Sequence, residues 1–211
     1  MKIKQVHYIA GLGISLFIIL HLLNHAMAVL GADKHIEVMH LLRRFYRSSL
    51  VEACLLLAVG VQLISGLRLA ITKRKRMESG FDKLQRWSGL YLAFFFVIHV
   101  SAVLAGRFLL KLDTNFYFGV AGLNTFPLNL FFIPYYSLAI ISFFVHIAMI
   151  HAKKMRSNFL YLRPDQQAKG IMMFGICFSI FIMYVLTNGF KGVDIPQPYQ
   201  LLNENMIVDH A

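Results

Sequence analysis

Apolar residues fall in five long stretches, roughly 7–30, 50–72, 87–110, 130–152 and 169–190, separated by short polar segments. Each stretch matches the ~20 residues that a helix needs to cross a bilayer. No soluble domain fits between them, and after Lys191 the chain turns polar and Pro-marked (DIPQPYQ). The pattern therefore predicts an all-α integral membrane bundle of five transmembrane helices. It forms a single transmembrane domain over 1–211, with a polar C-terminal tail at 191–211.

Composition agrees. Apolar residues make up 58% of the chain, charged residues 15%, and Phe alone contributes 19, which is too little polar surface for a soluble globule. The net charge of +11 does not point to nucleic acid, because the basic residues cluster in the short segments between spans. Thirteen Lys/Arg lie on the side holding the N-terminus and the segments 73–86 and 153–169, against seven on the other. The positive-inside rule then puts the N-terminus in the cytoplasm and the C-terminus outside, in a bacterial cytoplasmic (inner) membrane. Arg43, Arg44 and Arg47 go against that trend: they form either a solvated basic loop or, beside a haem, partners for its propionates. Cys54 and Cys177 lie inside apolar spans, as small buried residues rather than a disulfide or zinc pair. Ala26-Met27-Ala28 resembles a signal-peptide cleavage site, but the apolar run before it is too long and carries two histidines. It reads as an uncleaved first span.

The chemistry centres on a repeat. Gly11 to His21 (GLGISLFIILH) and Gly89 to His99 (GLYLAFFFVIH) share one glycine–histidine spacing inside apolar helices. At 1.5 Å rise per residue each histidine lies about 15 Å beyond its glycine. Spans one and three run the same way, so both histidines sit at one depth. An intramembrane histidine marks a functional site by default, and two at matched depth suit the axial positions of a haem b in a bundle core. The alternative is a pair of packing histidines beside glycines that bring helices close. His25, one turn past His21, is placed to hydrogen-bond a propionate, relay protons or replace His21. His21, His25 and His99 also make a rival zinc or iron site, weakened by the lack of a suitably placed carboxylate. His146 in span four and Gln62 in span two, one turn before Gly66, form a second level. They read as a haem site short of one ligand, a polar pair or a quinone contact. His7, His35, His40 and His210 lie at ends or in loops, while His151 sits near the cytoplasmic surface beside Lys153 and Lys154, either solvated or as another ligand for a second haem. Glu52 stands near one end of span two, as an interfacial residue or a proton carrier, and Arg68 near the other, reaching for headgroups. The apolar segment 105–133 either folds over the bundle end or forms an interfacial belt.

HLLNH around His21, LQRWSG at 84–89 leading to His99, the Gln62-x-x-x-Gly66 turn and SFFVH ending at His146 together resemble one family. It is the cytochrome b membrane anchor of succinate dehydrogenases and fumarate reductases, in its single-subunit five-helix form. The likeness runs over roughly residues 7–190. It implies stacked b-type haems between histidines of four spans and electron transfer between quinone and attached flavoprotein and iron-sulfur subunits on the cytoplasmic side. By position, His21 and His99 match the ligands of the haem farther from those subunits, and His146 matches a ligand of the nearer one. Gln62 stands where the family has the second histidine. Arg86-x-Ser88-Gly89 is similar to the family's quinone-proximal motif. One haem, or two, is implied. Without a flavin or nucleotide fingerprint or a cysteine set for a cluster, the chain reads as an electron-transfer subunit rather than a self-contained enzyme. A cofactor-free anchor is the remaining alternative.

Overall fold

A computed structural model of the protein describes residues 2–72 and 79–200. The basic run at 73–76 and His210, both used in reading the sequence, lie outside them. The described chain is mostly helical: α1 (Ile3–Ala26), extended by a 3-10 turn (Met27–Leu30), α2 (Ala32–Tyr46), α3 (Ser49–Thr72), α4 (Gly80–Phe108), α5 (Phe116–Val120), α6 (Asn129–Lys154) and α7 (Pro164–Leu186). Helices α1, α3, α4, α6 and α7 are each long and apolar enough to span a membrane. The protein is a multi-pass membrane bundle.

The differences from the sequence reading sit at ends and in one connection. Helix α4 starts at Gly80 rather than 87, because the Ser79 side chain caps its first turn, accepting from the Asp82 amide at 3.1 Å. Helix α7 starts at Pro164, a residue pre-set for a first turn. It ends at Leu186 rather than 190, where Asn188, Gly189 and Phe190 all take positive φ and the Gly189 amide closes onto the Tyr184 carbonyl at 2.8 Å. The segment 31–48, expected as a loop, is mostly helix α2.

The spans stand in a ring: α1 beside α3, α3 beside α4, α4 beside α6, α6 beside α7, with α7 returning to α1. Ser179 of α7 donates to the Ser137 carbonyl of α6, and the bare face of Gly175 receives Phe144. Outward-facing residues are apolar, including Leu12, Leu16, Ile64, Phe94, Val97 and Ile180, as a lipid solvent requires.

One end of the ring is capped. The segment after α4 folds back over it, burying Phe116, Val120, Ala121 and Leu123 in a core with Leu22, Ile140, Phe143, Ile182 and Met183. Helix α2 lies across the same end. Its buried residues His35, Met39 and Arg43 recur every four positions, along one face of the helix. Arg43 donates to Asp113 at 2.6 Å and to the Thr114 carbonyl at 2.7 Å, while Arg47 donates to the Thr114 hydroxyl at 2.6 Å. These arginines latch α2 to the folded-back segment. Glu52 of α3 pairs with Arg107 of α4 at this end. At the opposite, basic end, Lys153 of α6 joins Asp82 and Gln85 of α4, each at 2.5 Å.

Candidate functional site

His21 and His99 face each other across the ring, from α1 and α4, in the capped half of the bundle. Their ring centroids are 6.2 Å apart and their planes are inclined at 64°. Each imidazole rests on a phenylalanine one turn earlier on its own helix. Phe17 stacks under His21 (5.8 Å, 17°) and Phe95 under His99 (5.0 Å, 13°). Tyr136 of α6 meets His99 edge-on at 6.2 Å. The matched register is therefore longer than the sequence repeat alone: glycine, phenylalanine six residues on, histidine ten residues on.

The spacing tests whether this pair suits a shared metal. A metal–imidazole bond of about 2.0–2.1 Å, with about 1.1 Å more from nitrogen to ring centre, puts two such rings about 6 Å apart. The observed separation of 6.2 Å is of that order, and His21 Nε2 also lies 3.1 Å from His25 Nε2. A cavity of about 120 Å³ adjoins His21, walled by Gly13, Phe17, Leu20, Leu42, Tyr46 and Val51 among others.

A chain of imidazoles leads away from this pair toward the cap. His25 Nε2 lies 3.1 Å from His21 Nε2, and His25 Nδ1 lies 3.2 Å from Nε2 of His35 on α2. Asn24 Nδ2 also reaches His35 Nε2 at 3.2 Å. His35 is 2% exposed and packs on Phe116 at 5.1 Å. Burial, reinforced by the nearby His21 and Arg43, holds its imidazole down to about 4. Asn24 Oδ1 and His35 Nδ1 are buried without a hydrogen-bond partner. Sequence reading passed over His35 as a loop residue. The signal was the four-residue spacing of His35, Met39 and Arg43 within a charged segment.

The second level lies in the basic half, and its members are spread over neighbouring helix pairs. Gln62 Nε2 donates to the His7 carbonyl at 2.6 Å, filling the space beside Gly11. His146 Nδ1 donates to the Gln85 carbonyl at 3.0 Å and lies 3.3 Å from Ser88 Oγ, its ring against Gly89. His7 was also passed over; its Nδ1 meets Ser65 Oγ at 2.9 Å and its ring covers Gly66. Arg86 has its Nε buried without a partner and its guanidinium 5.8 Å from the Trp87 ring centre. Beside it a groove of about 510 Å³ opens between α4 and α6, lined by Leu84, Trp87, Ser88, Leu90, Tyr91, Ser142 and Val145. His151 stands apart, donating to Gln167 at 2.8 Å. Among the described residues no three His, Cys, Asp or Glu side chains are placed to hold a metal ion together.

The bundle and this histidine pair define a five-span helical membrane protein with one opposed imidazole pair in its core. No known protein family, curated protein or solved structure matches the chain.

Proposed function

We propose that the protein is a membrane cytochrome b that carries electrons between the quinone pool and a partner. The reading rests on one observation: His21 and His99, on helices that do not neighbour each other in the ring, present their imidazoles 6.2 Å apart. His21 and His99 are the residues that would hold a haem b. Bound there, the group supplies a reversible one-electron couple, while the chain supplies ligation, burial and position. Phe17 and Phe95 fix the planes of the two ligands by stacking. His25, His35 and Asn24 supply polar neighbours in an otherwise apolar core. The resemblance to succinate dehydrogenase and fumarate reductase anchors supports the same assignment, and the excess of basic residues supports a cytoplasmic position for the Lys153 end.

The groove between α4 and α6 suits a quinone. Its walls are mostly apolar, it opens toward lipid, and Ser88, Tyr91 and Ser142 line it. A ring lodged there lies about 15 Å from His99 along α4.

An absorption spectrum of the detergent-purified protein, reduced minus oxidised, tests the reading. Low-spin haem bands are expected in the native chain. Metal without haem would favour a different metalloprotein, and a colourless, metal-free protein would leave only a membrane anchor.

A further inference from the structure

The basic half of the bundle contains one local arrangement twice. On α1 the carbonyl of His7, four residues before Gly11, accepts from Gln62 of α3. A Cβ on Gly11 would come 2.7 Å from that amide nitrogen. On α4 the carbonyl of Gln85, four residues before Gly89, accepts from His146 of α6. A Cβ on Gly89 would come 2.9 Å from the ring's Cε1. In both, the receiving helix offers a carbonyl, a glycine four residues later and a core histidine ten residues beyond it. The pair α1–α3 thus repeats in the pair α4–α6, and Gln62 and His146 are equivalent positions.

A second haem at this level needs two strong donors on one iron. Gln62 does not provide one: its nitrogen is committed to the His7 carbonyl, and an amide oxygen suits hard cations rather than haem iron. Of the other imidazoles of this half among the described residues, His151 gives its Nε2–H to Gln167, and His7 is seated on Ser65 and Gly66 of α3, much as His146 is seated on Ser88 and Gly89 of α4. The Ser65 hydroxyl already donates to the Val61 carbonyl of its own helix, so His7 donates to it through Nδ1; the Nδ1–H of His146 goes to the Gln85 carbonyl, with Ser88, itself donating to Leu84, 3.3 Å away. Gln62, His7 and His146 act as fasteners between neighbouring helices.

We propose that this level is a set of interhelical clasps and not a second haem site, so the chain carries a single redox centre, in the capped half. The inference rests on the cytochrome reading and narrows it. One centre at His21 stands eighteen residues past Ile3, about 27 Å along α1 from the basic end. Its electron partner therefore reaches it from the capped end or from within the bilayer, as a quinone does.

Haem content of the purified full-length chain decides the matter, measured as pyridine haemochrome per chain and as the number of low-spin ferric species in electron paramagnetic resonance. One haem and one species are expected. Both remain unchanged in Gln62→Ala and in His146→Gln, which gives α6 the amide that α3 already uses and so keeps the clasp. Two haems per chain, or half the haem lost in His146→Gln or His7→Gln, overturns the single-centre inference and leaves the cytochrome reading intact. No haem at all overturns both.

Discussion

The imidazole of His21 faces that of His99 across the interior of the ring, 6.2 Å between centroids, with a phenylalanine stacked beneath each. Their carriers α1 and α4 are separated by α3 on one side and by α6 and α7 on the other, so nothing in local helix packing forces the two rings together. The pairing predicts that either ligand is indispensable. His21→Ala or His99→Ala abolishes the low-spin spectrum of the purified protein, whereas His151→Ala, whose imidazole is engaged with Gln167, leaves it intact. Absorption spectra of the three variants give the comparison, and a full low-spin spectrum in the His21/His99 double variant would show that the ligands lie elsewhere.

The cap depends on Arg43. Its guanidinium is buried, with Asp113 as its counter-charge and the Thr114 carbonyl as a second acceptor. Asp113→Ala leaves that cation without its charge partner under the folded-back segment. Removing one side of a buried pair costs about 3–5 kcal/mol, and the partial exposure of Asp113 reduces this to roughly 1–3 kcal/mol. A lowered melting temperature is expected, while Lys34→Ala, at a surface pair with Glu37, shifts it by far less. Equal shifts in the two variants would show that the latch does not hold the cap.

The five spans and the matched register of Gly11–His21 and Gly89–His99 were legible in the sequence, because a bilayer-length apolar run leaves few alternatives and equal spacing fixes equal depth. Helix α2 was not. Its charged residues hide the stripe of His35, Met39 and Arg43, which acquires meaning only once the capped end exists to bury it. The glycines were legible as sites of close approach, but one-dimensional spacing does not say what approaches. Gly11 admits an amide, Gly66 and Gly89 admit imidazoles, and each choice is made by the neighbouring helix in the ring.

His35 makes the cap sensitive to acid. Its imidazole titrates near 4 in the folded protein, below the ordinary value of 6.5, chiefly because it is buried and then because of His21 and Arg43. The neutral form is thus the folded form. Its stabilisation is complete above about pH 6.5 and declines as pH falls from there toward 4. Each pH unit of displacement corresponds to about 1.4 kcal/mol, so on the order of 2–3 kcal/mol is at stake. His35→Gln removes this dependence. Melting temperatures of the native and variant proteins between pH 7 and 4.5 should converge as pH falls, and parallel curves would place the acid sensitivity elsewhere.

Two glycines on one helix separate the clasp from ordinary helix propensity. Gly11 and Gly13 lie two residues apart on α1, so substitution by alanine brings the same intrinsic gain, up to about 1 kcal/mol in a helix interior. A Cβ at Gly13 meets nothing within 4 Å, while one at Gly11 comes 2.7 Å from Gln62 Nε2 and pushes that amide off the His7 carbonyl. A lost interhelical hydrogen bond inside a membrane protein costs about 0.6–1.7 kcal/mol, enough to cancel or exceed the gain. Gly13→Ala is therefore expected to be neutral or stabilising in a detergent unfolding titration, and Gly11→Ala to lie about 1 kcal/mol below it, with the haem bands of both unchanged. If Gly11→Ala matched Gly13→Ala in stability, Gln62 would contribute nothing to joining α1 and α3. If Gly11→Ala instead lost its haem, the two levels of the bundle would be coupled through α1 rather than independent.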